Sequence, residues 1–203
     1  MTRLTDALAC LADIHAHLAR GEVYRGLQAR PVMVSGLLGF TAAVMQQYWL
    51  PHPDPILFTW YWLLAALCCA SVGVSGAVLH YIMEEDQVAR RRARIVAGQF
   101  VPCVVVGCLL PLALLPRLGD CVGLLPGLWS LLYALGLFSA RPYLPRATGW
   151  VAFYFLIAGT LLLSLVPHDS VPSPWSIAGV FTMGQLALAW VLHRNEAREN
   201  AHG

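Results

Sequence analysis

The 203 residues contain 58% hydrophobic side chains and only 12% charged ones, a balance typical of a chain that is largely surrounded by lipid. All 13 basic residues are Arg, because the sequence contains no Lys. This excludes a Schiff-base lysine and the lysine of a phosphate-binding loop. The arginines lie at the ends of apolar segments and not on a groove-reading face, so nucleic acid is not an expected partner.

Residues 1–30 predict an amphipathic cytoplasmic helix. Apolar residues recur there at every third or fourth position, as they do along one stripe of a helix: Leu4, Leu8, Leu11, Ile14 and Leu18. Such a stripe can cover the inner ends of its own bundle, lie on the membrane surface, or bind a partner or a second copy of the chain. In a partner-binding role, Leu8, Leu11 and Leu18 would form the contact.

Six apolar segments follow, and each is long enough to cross a hydrocarbon core of about 30 Å as a helix. They are residues 31–50, 56–82, 95–115, 121–140, 148–166 and 175–193. Residues 194–203 form a cytoplasmic tail. Aromatic residues at the start of the second segment are typical of a membrane–water interface: Phe58, Trp60, Tyr61 and Trp62. The predicted fold class is an all-α membrane protein, a six-helix transmembrane bundle preceded by the amphipathic helix.

The arginines orient these six predicted spans. All of them except Arg117 fall in the N-terminal segment, in the loop after the second span, in the turn from Arg141 to Arg146, or in the C-terminal tail. Loops rich in Arg stay on the cytoplasmic side of a membrane. Both termini are therefore predicted to be cytoplasmic.

The densest charge run, residues 84–94, begins with acids and ends with arginines at positions 90, 91, 92 and 94. Next to a membrane, Arg90, Arg91, Arg92 and Arg94 could each gain about 1 kcal/mol from anionic lipid. The preferred interpretation is that the run fixes topology and contacts lipid. The alternative is a docking site for an acidic partner.

The middles of the predicted spans contain no Asp, Glu or Arg, which argues against proton-coupled transport and against an aspartyl intramembrane protease. Gln99 and Gln185 are expected to hydrogen-bond between helices. Pro102, Pro111 and Pro126 can break or bend the third and fourth spans. Because a bent helix exposes carbonyl groups to a solute, these five residues define the pathway if the protein is a transporter.

Four residues of the outer loops carry side chains that suit zinc or copper: His52, Asp54, His168 and Asp169. Their spacing matches no metal motif, so solvated loop polarity is the preferred interpretation. His80 and His193, near the inner ends of two spans, could ligate haem b in principle, but an interface role is preferred. No cofactor is predicted.

The stretch Leu128–Arg146, with residues 149–155 and Met183–Gln185 after it, resembles a group of small uncharacterised bacterial integral membrane proteins. That group has no established activity, so the resemblance implies no site residues. It implies a multi-pass protein of the bacterial inner membrane.

The sequence contains no nucleophile elbow, zinc-protease helix, phosphate loop or dinucleotide fingerprint, and an enzyme is not expected. The preferred function is a membrane sensor, scaffold or regulatory subunit that acts through its cytoplasmic face, with lipids and a cytoplasmic protein as partners. The alternative is a facilitator or transporter of a small uncharged solute. A haem- or metal-binding membrane protein is the third interpretation.

Overall fold

The computed structural model describes residues 28–83 and 87–200, with side chains described for residues 28–75 and 94–198. This part of the chain is helical and contains no β-strand. Its six long helices are α1 (Ala29–Trp49), α2 (Pro55–Met83), α3 (Gln87–Leu114), α4 (Leu125–Ala140), α5 (Thr148–Leu165) and α6 (Pro174–Asn200). The amphipathic helix predicted for residues 1–30, with Leu8, Leu11 and Leu18, lies outside the described residues.

Within the described residues, four segments are long and apolar enough to cross a membrane: Pro55–Ser75, Arg94–Tyr143, Thr148–Leu165 and Pro174–Arg198. The second of these is 50 residues long and contains both α3 and α4. Helix α1 is not among the four, since Gln46 and Gln47 lower its hydropathy. The prediction of an all-α chain with membrane-spanning helices is confirmed at this level.

Prolines explain where two of the helices begin. Pro55 is the first residue of α2, and the Asp54 side chain accepts a hydrogen bond from the Leu57 backbone N–H at 3.1 Å, as a helix cap does. Pro126 lies in the first turn of α4, where its missing N–H leaves no helical bond unmade. Pro126 therefore starts a helix and does not bend one.

The predicted fourth span, 121–140, is not a single helix. A four-residue helix, Leu118–Cys121, and a 3-10 turn, Val122–Leu124, come before α4. The turn packs against the loop that joins α5 to α6, because the Gly123 N–H donates to the His168 carbonyl oxygen at 3.0 Å. A side chain at Gly123 would collide with the Pro167 carbonyl.

The six described helices are arranged in a ring. Each helix packs against the next one along the chain, and α1 packs against α6 to close the ring. Helices α1 and α6 are antiparallel: the Ala29 N–H donates to Glu196 Oε1 at 3.0 Å at one end, and the rings of Phe40 and Trp175 lie 6.1 Å apart near the other. We call these the basic end (residues 29–30, 141–147 and 193–198) and the loop end (residues 50–54, 115–124 and 166–173).

Helices α4 and α5 form a closely packed seam of the ring. A Cβ atom at Gly127 would lie 2.9 Å from the Gly159 carbonyl oxygen, and one at Gly159 would lie 3.0 Å from that of Gly127. The Ser130 hydroxyl donates to the Phe155 carbonyl oxygen at 2.8 Å across the same seam. The two backbones can approach this closely only because neither glycine carries a side chain.

The outer face of the ring is apolar, as expected for a surface in contact with lipid. Trp49 near the loop end and Trp150 near the basic end are 74% and 78% exposed, in keeping with an interfacial role. The interface prediction is wrong for Phe58 and Trp62, which are 0% and 6% exposed. These two residues are four apart, so they lie on the one face of α2 that turns into the bundle.

Candidate functional site: a polar layer inside the helix ring

The buried apolar residues of the ring divide into two clusters. One includes Leu137, Ala140, Leu188 and others toward the basic end. The second includes Phe58, Leu125, Ile177 and others toward the loop end. Phe181 of α6 packs against both clusters, and Tyr133 of α4 packs against the first. The polar side chains near them therefore lie among apolar residues.

The first polar contact of this region joins α6 to α4. Gln185 Nε2 donates to the Tyr133 hydroxyl oxygen at 2.9 Å. The second joins α2 to α1, where the Cys69 thiol donates to the Ser35 carbonyl oxygen at 3.4 Å. We call Tyr133, Gln185, Cys69 and Ser35 the polar layer.

Aromatic rings surround Tyr133. Its ring centroid lies 4.6 Å from that of Phe155 on α5, 6.3 Å from that of Phe181 on α6 and 6.2 Å from that of Phe100 on α3. A side chain at Gly184 would collide with the Phe155 ring. The polar layer is therefore bounded by apolar ring faces from three different helices.

Some buried polar side chains have unused hydrogen-bonding capacity. The described residues include three buried side-chain oxygens without a hydrogen bond: Gln99 Oε1, Thr148 Oγ1 and Thr182 Oγ1. Gln99 belongs to the stripe of α3 that turns inward, one turn from Cys103, and Thr182 precedes Gln185 by one turn of α6. Buried polar groups in proteins nearly always have a partner, so Gln99 and Thr182 are exceptions to that rule among the described residues.

Two prolines interrupt the backbone hydrogen bonds of helix α3. Pro111 has no N–H, so the Gly107 carbonyl oxygen lacks its helical donor. Trp129 of α4 replaces that donor, with its indole Nε1–H bound to the Gly107 oxygen at 2.9 Å. Pro102, also inside α3, is exposed on the outer face. The predicted pathway residues thus separate: Gln99, Pro111 and Gln185 turn inward, and Pro102 does not.

The predicted metal ligands are not brought together. His52, His168 and Asp169 are exposed, and the Asp54 carboxylate caps α2. Across the described ranges, no three His, Cys, Asp or Glu side chains form a group that could hold a metal ion.

The predicted haem ligands and the basic run lie mostly beyond the described side chains. His193 is exposed on α6, and the His80 side chain is outside the described set. Arg94 is exposed, while Arg90, Arg91 and Arg92 contribute only their backbone, as early residues of α3. Their lipid or partner contacts stay a prediction.

Sequence reasoning missed Tyr133, Cys69 and Thr182. Tyr133 is the one tyrosine within the apolar α4, and that isolated phenol was the available signal. Cys69 and Cys68 cannot be separated from the sequence, because the face of α2 that turns inward depends on packing. In the structure Cys68 is exposed and Cys69 is half-buried.

Comparison with protein-family models, curated proteins and solved structures finds no match. A proposal about the function therefore rests on the geometry of the chain's own residues.

Proposed function

We propose that this chain is a non-enzymatic, six-span membrane protein that holds and passes a small uncharged solute through the interior of its helix ring. The observation that supports the proposal is the polar layer, which lies inside the bundle with buried apolar residues toward both ends of the ring. Transport sites commonly lie near the bilayer midplane, and an apolar cluster on each side would keep such a site closed to water. The absence of Asp, Glu and Arg from the middles of the spans favours a neutral solute.

All six described helices serve as spans in this proposal. The 21 residues of α1 give a length of about 32 Å, sufficient for a hydrocarbon core. The 16 residues of α4 give about 24 Å, and the 3-10 turns on both sides, Val122–Leu124 and Arg141–Tyr143, extend it. The exposed apolar side chains Met33 and Leu37 of α1 support a lipid contact.

The charges at the two ends of the ring support an orientation. Described arginines of the basic end are Arg30, Arg141, Arg146, Arg194 and Arg198. The loop end carries Asp54, Asp120 and Asp169, with Arg117 as its basic residue. By the positive-inside rule the basic end faces the cytoplasm, with both termini on that side, in the bacterial inner membrane that the resemblance implies.

Helix α3 is the element best suited to admit the solute. Prolines inside a helix remove backbone hydrogen bonds and allow it to bend, and α3 contains two of them. The Trp129–Gly107 bond joins α3 to α4 at the carbonyl that Pro111 leaves without a helical donor. Opening and closing of this contact would connect the polar layer to one side of the membrane.

The sensor, scaffold or regulatory role stays a separate prediction. It depends on Leu8, Leu11, Leu18 and the arginines of residues 90–92, whose side chains lie outside the described residues. The described part of the chain adds no observation in its favour.

Solute uptake by proteoliposomes tests the proposed function. Stopped-flow light scattering should show faster swelling with the protein than with lipid alone for at least one small neutral solute. Loss of one hydrogen bond in Tyr133→Phe or Gln185→Met should slow that uptake by about threefold to tenfold, the equivalent of about 0.5–1.5 kcal/mol. Gln47→Met is the matched control, because Gln47 is exposed on α1. Uptake no faster than lipid alone for every solute would refute the proposal.

A further inference from the structure

The turn that joins α4 to α5 holds a guanidinium group against a glycine. A Cβ atom at Gly149 would lie 3.3 Å from Arg141 Nε and 3.5 Å from Arg141 Cζ, so the guanidinium group packs on the Gly149 backbone. The Gly149 N–H donates to the Arg146 carbonyl oxygen at 3.2 Å, which places the backbone of a second arginine beside the same glycine. Both arginines are exposed. The turn therefore concentrates positive charge at the start of α5.

No acidic side chain of the described residues forms a salt bridge with either arginine of this turn. The described acids at positions 54, 120 and 169 lie at the loop end. Glu196, at the basic end, accepts a hydrogen bond from the Ala29 N–H. The first turn of α5 contains no acid, although the N-terminus of a helix favours negative charge. Within the described part of the chain, the turn is therefore complementary to an anion.

Aromatic rings lie about one helical turn from these charges. Phe138 precedes Arg141 by one turn of α4, and its ring centroid lies 5.1 Å from that of Phe153 on α5. The ring centroid of Trp150, the residue after Gly149, lies 6.3 Å from that of Phe153. Trp150 and Phe153 are 78% and 46% exposed, as is typical of rings at the level of lipid headgroups. The surface therefore combines positive charge with exposed apolar rings.

We propose that this surface binds an anionic phospholipid, with the headgroup phosphate against Arg141 and an acyl chain along the rings of Trp150 and Phe153. A guanidinium group binds a phosphate through charge-assisted hydrogen bonds. A free phosphate would make no use of the exposed rings, whereas a phospholipid contacts both parts of the surface. The site is separate from the lipid contact predicted for residues 90–94. It requires that the chain lies in a membrane, and it does not depend on solute transport.

Lipid binding to the full chain in detergent, measured by native mass spectrometry, tests this inference. Phosphatidylglycerol and phosphatidylcholine with the same acyl chains are the two probes, because only the first carries a net negative charge. Wild type should bind phosphatidylglycerol more tightly by about fivefold or more. Arg141→Gln should weaken phosphatidylglycerol binding by about fivefold, as expected for one arginine beside anionic lipid. Arg117→Gln is the matched control, because it removes an exposed arginine at the loop end, and it should leave the binding of both lipids unchanged.

Competition with glycerophosphoglycerol, which is the same headgroup without acyl chains, separates a lipid site from a site for a free phosphate. At a concentration equal to that of the lipid, it should leave phosphatidylglycerol bound. Both variants replace exposed side chains, so their helix content by circular dichroism should equal that of wild type. Equal binding of the two lipids, equal losses in Arg141→Gln and Arg117→Gln, or displacement of the lipid by glycerophosphoglycerol would overturn the inference.

Discussion

The α4–α5 pair and helix α3 pack against their neighbours in opposite ways. In the pair, Gly127 and Gly159 allow two backbones to touch, and Ser130 bonds across the seam. Helix α3 instead contains two prolines and depends on Trp129 of its neighbour for a missing backbone bond. The ring therefore has one wall, α4–α5, that is fixed by close contact, and one wall, α3, whose prolines allow it to bend.

The largest expected effect concerns the fixed wall. Gly127→Ala places a methyl group against the Gly159 carbonyl and Leu163, and should destabilise the protein by about 1–3 kcal/mol through overpacking. Thermal unfolding in detergent, followed by circular dichroism, measures this change.

Gly179→Ala is its matched control, because a Cβ atom there has no neighbour within 4 Å. It should be neutral or should raise stability by up to about 1 kcal/mol, as Ala does relative to Gly within a helix. Equal effects of the two substitutions would show that the seam is not tightly packed.

A substitution at the contact between α3 and α4 should lower the stability by a smaller amount, and that amount should depend on Pro111. Trp129→Phe removes the donor to the Gly107 carbonyl and should cost about 1–2 kcal/mol, since a buried acceptor is left unpaired. Pro111→Ala restores an N–H to the helix at the correct position for that carbonyl.

The double variant Trp129→Phe with Pro111→Ala should therefore lose less stability than the sum of the two single variants. Additive changes in a double-mutant cycle of thermal stability would show that Trp129 does not replace the bond that Pro111 removes.

The smallest expected effect on stability concerns Thr182, which lies on α6 one turn before Gln185. Because its hydroxyl is buried without a partner, Thr182→Val should leave the free energy of unfolding unchanged within about 0.5 kcal/mol, or increase it. A loss of more than about 1 kcal/mol would show that the hydroxyl has a structural partner. Chemical or thermal unfolding in detergent is sufficient for this comparison.

More of the fold than of the candidate site could be predicted from the sequence. Hydropathy and prolines place the helices, because each depends on local residues: α2 begins at Pro55, and α4 begins just before Pro126. The direction in which a side chain points depends on all six described helices together. The prediction therefore placed Trp62 at the membrane interface. In the structure its indole N–H donates to Gln46 Oε1 at 2.7 Å within the bundle.

In the candidate site too, features set by local residues could be predicted and features set by packing could not. Gln99 and Gln185 were found from their polarity alone, because an amide in an apolar span stands out in a sequence. Tyr133 and Cys69 were not among the predicted pathway residues, since phenols and thiols are common in apolar helices. Which groups such a side chain contacts depends on how the helices pack.

Thiol modification in proteoliposomes tests most directly whether the polar layer lies on a solute path. Two variants are compared, each with a single cysteine: Cys69, which joins the layer, and its neighbour Cys68, which is exposed on α2. A small water-soluble thiol reagent should inhibit uptake of the transported neutral solute in the Cys69 variant, that solute should slow the inhibition, and the Cys68 variant should keep its uptake. Inhibition of both variants to the same extent, or of neither, would contradict a solute path through the ring interior.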